Sequence, residues 1–142
     1  MNTETVTNFT LFFDGCSKGN PGKAGAGAVI YQCIDNNITE LWSKYEFLGE
    51  SHTNNYAEYM GLIIGLEEAV RMGITNLHVN GDSMLVIKQM QGIYAVKAPN
   101  LMKLYKDAKT LAKSIGKITF AHVDRSENKR ADALSNEAIV MA

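Results

Sequence analysis

The spacing of the apolar residues changes along the chain, and this change limits the possible folds more than any other feature. In the first third, apolar and β-branched residues form short runs typical of strands, at residues 9–14, 26–34 and 38–47. Over residues 55–72 they recur every three or four positions, which is the period of a helix. Strand and helix patterns then alternate. Strands followed by alternating helices and strands predict a mixed sheet covered by helices.

Turn and capping residues give the expected boundaries. Residues 35–37 (Asp-Asn-Asn) predict a hairpin turn, and the glycine-rich stretch 15–27 is expected to join the first two strands. Thr53, Asn54 and Asn55 are candidate caps for the first helix, and Gly73 is its expected stop. The later elements are a strand at 76–80, a helix ending near residue 91, a helix at 101–114, a strand at 117–123 and a helix at 127–141 capped by Ser126.

Length and composition predict one domain over residues 1–142, with a flexible segment at 1–8. No apolar run approaches the roughly 18 residues of a membrane span, and the polar start does not resemble a signal peptide. Two cysteines, Cys16 and Cys33, without metal-binding spacing suit a reducing compartment, so we expect a cytoplasmic protein. We also expect a monomer, because no additional apolar surface stripe stands out.

The near-neutral net charge of −1 hides a basic segment. Residues 88–117 contain seven lysines and a single acid, Asp107. Such a segment could grip the phosphates of a nucleic acid, although a solvated, lysine-rich helix face has the same composition.

Four acids are placed where chemistry is expected. Asp14 and Asp82 each follow a predicted strand, and the ends of parallel strands gather functional groups. Glu58 and Asp132 lie on helix faces that should be buried, where a carboxylate must be paired or metal-bound. For any one of these acids, a structural role as a cap or ion-pair partner remains equally open.

Together, the four acids predict a metal site. Clustered carboxylates would repel one another unless cations offset their charge, and hard oxygen ligands select Mg²⁺ or Mn²⁺. Two such ions would support metal-assisted phosphodiester hydrolysis, without identifying the polymer. A phosphate-binding P-loop is excluded, because Gly22-Lys23 is followed by Ala24 and Ser17 stands where the first glycine belongs.

Four ordered motifs resemble the type 1 ribonuclease H family. They are Asp14-Gly15-x-x-x-Gly19-Asn20-Pro21-Gly22 with Gly25 and Gly27, Thr53-Asn54-Asn55-x-Ala57-Glu58, Asp82-Ser83, and His122-x-x-Arg125-x-Glu127-Asn128-x-x-Ala131-Asp132. The resemblance implies the ribonuclease H-like α/β fold: a five-stranded mixed sheet flanked by helices. Its first three strands would be antiparallel, and its first, fourth and fifth strands parallel.

The resemblance also implies residue roles. Asp14, Glu58, Asp82 and Asp132 would bind two Mg²⁺ or Mn²⁺ ions, and His122 would assist catalysis. The implied substrate-binding positions are Gly15, Asn20, Asn54, Asn55 and Ser83. The stretch 91–100 is too short for the basic protrusion of some relatives, so Lys97 and the lysines after it are candidates to replace that grip.

The implied activity is endonucleolytic hydrolysis of the RNA strand of RNA–DNA hybrids, leaving 5′-phosphate and 3′-hydroxyl ends. We also expect no small-molecule cofactor, no membrane partner and, unlike in some relatives, no separate hybrid-binding domain. Two alternatives stay open: a hybrid- or RNA-binding module with little turnover, and a nuclease of the same fold that also cleaves double-stranded RNA.

Overall fold

The elements follow one another in the predicted order. The computed structural model of the protein describes residues 7–142. Its strands are β1 (Thr7–Lys18), β2 (Gly22–Ile34), β3 (Asn37–His52), β4 (Asn76–Gly81) and β5 (Lys117–His122). Its helices are α1 (Asn54–Arg71), α2 (Met84–Met90), α3 (Pro99–Ile115) and α4 (Lys129–Val140), with a 3-10 turn at Arg125–Glu127. Thr7 and Asn8 already belong to β1; the rest of the segment expected to be flexible lies outside the described residues.

The strands form one mixed sheet in the order β3-β2-β1-β4-β5. β1 pairs antiparallel with β2, and β2 antiparallel with β3. β4 runs parallel to both β1 and β5. This pattern confirms the expected five-stranded ribonuclease H-like sheet.

The connection between the first two strands is much shorter than the predicted glycine-rich stretch, residues 15–27. β1 continues to Lys18 and β2 begins at Gly22, so only three residues separate them. Antiparallel pairing continues to the last pair, Lys18 with Lys23, and therefore holds most of the stretch in the sheet. The remaining turn uses Gly19 and Asn20, which both have positive φ angles (121° and 35°).

Two glycines of β2 allow a helix to pack closely. A methyl group on Gly25 or Gly27 would collide with α4, meeting the backbone oxygen of Ser135 or the Cβ atom of Leu134. Glycine inside a strand often marks a close approach by another element, and here that element is a helix. α4 therefore lies on one face of the sheet. Leu11 and Phe13, on the other face, belong to the core shared with α1 and α3.

The last helix begins at Lys129, and the residue that precedes it is Asn128 rather than the predicted cap, Ser126. Ser126 instead donates from both its backbone nitrogen and its hydroxyl group to Asp124, within the 3-10 turn. Asn128 is the residue before α4, and its side-chain nitrogen donates to the carbonyl oxygen of Phe13 at 2.9 Å. This buried bond attaches the start of α4 to β1. Among the described residues, no helix is both long and apolar enough to cross a membrane.

Candidate active site

Three acids converge where β1 and β4 stop pairing. The last parallel pair is Phe13 with Gly81, and the acids Asp14 and Asp82 directly follow these two residues. β1 itself continues past Asp14, and only its pairing with β4 ends there. Glu58, from the second turn of α1, reaches the same point. One carboxylate oxygen from each of the three acids lies within 4.8 Å of the others.

These acids line an open cleft of about 510 Å³. Asp132, from α4, lines the same cleft, so the structure brings all four predicted metal ligands together. The other lining residues are Gly15, Cys16, Asn54, His122, Asp124 and Arg125.

Asp14 is the most buried of the four acids, with 4% of its surface exposed. Its carboxylate accepts a hydrogen bond from the hydroxyl group of Ser135 at 2.9 Å. Burial, followed by the negative charge of Asp82, raises the pKa of Asp14 to about 7 despite the opposing hydrogen bonds from Glu58 and Ser135. Without cations, the folded protein therefore resists ionisation of this group.

Glu58 is held against β1 by the backbone of Gly15, whose N–H donates to its carboxylate. A methyl group on Gly15 would collide with the backbone of Ala57, so the absence of a side chain allows this contact. Burial and the neighbouring Asp14 raise the pKa of Glu58 well above its ordinary value. Gly15, for which a substrate-binding role is predicted, lies in the structure against a candidate metal ligand.

Asp132 lies beside the three-acid cluster and is more exposed, at 29% of its side chain. Its carboxylate contacts that of Asp14, which contributes to the raised pKa of Asp14. Its Oδ1 atom also lies 3.5 Å from the Arg125 guanidinium group and 3.3 Å from the Asn136 side-chain nitrogen. Asp14 thus lies close to each of the other three acids.

His122 lies at the end of β5, on the rim of the cleft. Its Nε2 atom is 3.2 Å from the carbonyl oxygen of Asp82. Because a carbonyl oxygen can only accept, this bond places a hydrogen on Nε2. The other two histidines have contacts elsewhere: His52 stacks on Tyr56, and a ring nitrogen of His78 bonds to Thr119.

The predicted substrate-binding residues are dispersed around the cleft. Asn54 lines the cleft. Its Oδ1 atom accepts from the backbone N–H of Ser17 at 2.7 Å, and its own backbone N–H donates to the Oδ1 atom of Asn20 at 3.0 Å. Asn54 therefore links Asn20 to the end of β1. Asn55 is exposed in the first turn of α1. Ser83 caps α2, with its hydroxyl accepting from the Val86 backbone. Lys97 is exposed between α2 and α3 and does not line the cleft.

Two side chains of α4 support the acids and were not predicted from the sequence. Ser135 and Asn136 contact Asp14 and Asp132, respectively, and they follow Asp132 by three and four residues. This spacing places them on the same helix face as Asp132 and could have identified them.

The acids fit divalent cations. Glu58 carries a buried carboxylate oxygen, Oε2, with no hydrogen-bond partner among the described residues. A buried, unpaired carboxylate oxygen is costly unless it binds a cation. The neighbouring ligands are all oxygens, which Mg²⁺ and Mn²⁺ prefer. Asp14, Glu58 and Asp82 could hold one ion, and Asp14 with Asp132 a second.

The chain is similar to known proteins over most of its length. The sequence profile of the family described as "Reverse transcriptase-like" matches residues 12–138. The chain is 45% identical over 126 residues to "Bifunctional protein Rv2228c" of Mycobacterium tuberculosis, covering 89% of this chain and 34% of that protein. It is 38% identical over 128 residues to "Ribonuclease HI" of Halobacterium salinarum, covering 90% of this chain and 62% of that protein. The chain thus spans about a third of the mycobacterial relative.

A solved structure shares the fold over nearly the whole chain. The crystal structure of LC11-RNase H1 in complex with an RNA/DNA hybrid superposes with a TM-score of 0.86 at 35% identity, covering 94% of this chain and 98% of that chain.

Proposed function

Because the chain belongs to the type 1 ribonuclease H family, we propose that it is an endoribonuclease that hydrolyses the RNA strand of RNA–DNA hybrids. The observation that carries this proposal is the convergence of Asp14, Glu58, Asp82 and Asp132 on one open cleft. The similar protein LC11-RNase H1 was crystallised in complex with an RNA/DNA hybrid, which supports the proposed substrate class.

We propose that two Mg²⁺ or Mn²⁺ ions bind the four acids. Such a pair supplies activation of the attacking water and charge stabilisation at the leaving oxygen, giving 5′-phosphate and 3′-hydroxyl ends. Asp14 faces both candidate positions and therefore holds the two halves of the site together. Its burial and the hydrogen bond that it accepts from Ser135 of α4 fix its orientation.

The proposed role of His122 is proton handling at the edge of the cleft. Its ring is exposed and attached to the site by one bond to the backbone of Asp82, so the ring can turn without disturbing a carboxylate. An imidazole ring can both accept and donate a proton, which suits a group that handles protons during phosphodiester hydrolysis.

Asn20 and Asn54 are proposed to contact the RNA strand through their amide nitrogens. Their side-chain oxygens already accept bonds from the backbones of Asn54 and Ser17. This leaves the NH₂ groups pointing away from those bonds, as donors for 2′-hydroxyl or phosphate oxygens. A 2′-hydroxyl distinguishes RNA from DNA, so these donors would select the strand that is cut.

A substrate panel tests the proposal. The protein is incubated with labelled RNA–DNA hybrid, double-stranded RNA and double-stranded DNA, in Mg²⁺ or Mn²⁺, alongside Asp14→Asn. Asp107→Asn, which removes an exposed acid from α3, is the matched control. Cleavage of the hybrid that Asp14→Asn abolishes and Asp107→Asn retains supports the proposal. Binding without cleavage would instead identify a non-catalytic module, and equal cleavage of double-stranded RNA a broader nuclease.

Two further expectations remain proposals. The two free cysteines, Cys16 and Cys33, suit a reducing compartment, so we propose a cytoplasmic location, which fractionation tests. We also propose a monomer, which light scattering tests.

A further inference from the structure

Asn136 connects Asp132 to the end of β1. The Nδ2 atom of Asn136 lies 2.9 Å from the carbonyl oxygen of Asp132 and 3.3 Å from its carboxylate Oδ1. The Oδ1 atom of Asn136 accepts from the ammonium group of Lys18 at 2.7 Å. The thiol of Cys16 lies 4.0 Å from that same oxygen. A chain of polar contacts therefore runs from β1 through α4 to the candidate metal site.

From these contacts we infer that Asn136 is a positioning residue that orients the Asp132 carboxylate for metal binding, and that Lys18 orients Asn136. The inference rests on the proposed function. It assigns roles to two residues outside the four acids.

Lys18 decides which way the amide of Asn136 points. A side-chain amide has one end that accepts and one that donates. An ammonium group can only donate, so Lys18 selects the oxygen of Asn136, and the NH₂ group must then face Asp132. Its two hydrogens serve the carbonyl and the carboxylate of that residue. Without Lys18, the amide could turn over and present its oxygen to the carboxylate.

Asp132 needs this support more than the other acids do. Asp14 is buried and accepts from Ser135, and Glu58 accepts from the Gly15 backbone. The Asp132 carboxylate is more exposed, and its second donor, Arg125, is 3.5 Å away on a side chain that is itself 77% exposed. Asn136, half-buried on the same helix, is the better-fixed donor. Donors that orient a metal ligand typically change metal affinity or activity by about 10- to 100-fold.

Metal binding without substrate gives the first test. Asn136→Leu preserves side-chain size and removes both polar atoms. We expect the Mg²⁺ or Mn²⁺ concentration needed for half of the metal-induced rise in Tm to increase by about tenfold. Lys18→Met should increase it a few-fold, and Lys18→Arg should restore the wild-type value. Lys23→Met is the matched control, because Lys23 is exposed and pairs with Lys18 across the two strands.

Kinetics on the hybrid separate positioning from direct substrate contact. At a fixed metal concentration, a positioning role lowers kcat and leaves KM and its salt dependence unchanged. Adding Lys18→Met to Asn136→Leu should then have no further effect, because Lys18 acts through Asn136. If Lys18→Met raises KM equally in both backgrounds and flattens its salt dependence, Lys18 contacts phosphates itself and the inference is wrong.

The outcomes remain distinct from those of the proposed function. An unchanged metal midpoint in Asn136→Leu overturns the positioning role even if the enzyme cleaves hybrids. A shifted midpoint in a protein that cleaves no hybrid supports the positioning role and refutes the activity. If Asn136→Leu does not fold in EDTA, the metal midpoint of the surface variant Lys18→Met decides the question.

Discussion

Replacing Asp14 with Asn removes a carboxyl group whose ionisation the folded protein opposes. Burial, followed by the charge of Asp82, raises the pKa of Asp14 from 3.8 to about 7. Between these values the metal-free folded chain retains a proton that the unfolded chain releases. The free energy of unfolding therefore decreases as the pH rises from about 4 to about 7, and stays at its lower value above that range.

The size of this effect follows from the shift. One pKa unit corresponds to about 1.4 kcal/mol, so ionised Asp14 destabilises the metal-free protein by about 4 kcal/mol at pH 8. For a chain of this length, each kcal/mol changes Tm by roughly 3 °C. Asp14→Asn should therefore melt roughly 10 °C above the wild type at pH 8 in EDTA, and close to it near pH 4. The amide oxygen can still accept from Ser135, so the packing is preserved.

Thermal unfolding followed by circular dichroism measures this difference. Wild type, Asp14→Asn and the exposed-acid control Asp107→Asn are compared in EDTA at several values between pH 4 and pH 8. The pH dependence of Asp14→Asn should be reduced but not abolished, because burial still raises the pKa of Glu58. Saturating Mg²⁺ should raise the Tm of the wild type at pH 8 and so narrow the difference in Tm between the wild type and Asp14→Asn. Parallel curves for wild type and Asp14→Asn in EDTA would refute the reasoning.

Three further predictions concern the surroundings of the site. Gly15→Ala should lower the free energy of unfolding in urea by about 3 kcal/mol, because the methyl group would collide with the Ala57 backbone. The control Gly73→Ala places a methyl group in open space at a positive φ angle, and it should lower the free energy of unfolding by about 1 kcal/mol. Equal costs would contradict the close approach. Asn128→Ala should cost about 2 kcal/mol in the same assay through its lost bond to Phe13, and a neutral result would contradict that anchor. A last variant replaces three exposed lysines with glutamine: Lys97, Lys103 and Lys106. Fluorescence anisotropy should show weaker hybrid binding, and the slope of the logarithm of affinity against the logarithm of salt concentration should become flatter by about 2. An unchanged slope would show that these lysines do not contact the phosphates of the hybrid.

The elements could be predicted because the apolar period changes with the local structure. The helical spacing over 55–72 and the cap Thr53 correspond closely to α1, which begins at Asn54. The boundaries around glycine were wrong for a physical reason. Glycine is usually unfavourable in strands, and Gly25 and Gly27 occur in β2 because α4 packs directly on them. That contact depends on tertiary packing, which no local pattern contains.

The meeting of the acids could be predicted from strand ends, but the groups that hold them could not. Asp14 and Asp82 occupy the positions where pairing between β1 and β4 stops, as the sequence indicates. The predicted cap Ser126 was wrong because Asn128, which precedes α4, is held by its bond to the distant Phe13 carbonyl. Local capping preferences fit both residues equally, so the sequence could not distinguish them.

Because Asn128 attaches α4 to β1, the docking of α4 determines when the candidate site is completed during protein synthesis. The four acids come from four separate parts of the chain, and Asp132 lies on α4, more than a hundred residues after Asp14. A nascent chain on the ribosome could form the β1–β2–β3 sheet and α1 and still lack a complete metal site. Such a partly made chain should lack the proposed activity until α4 has emerged and docked.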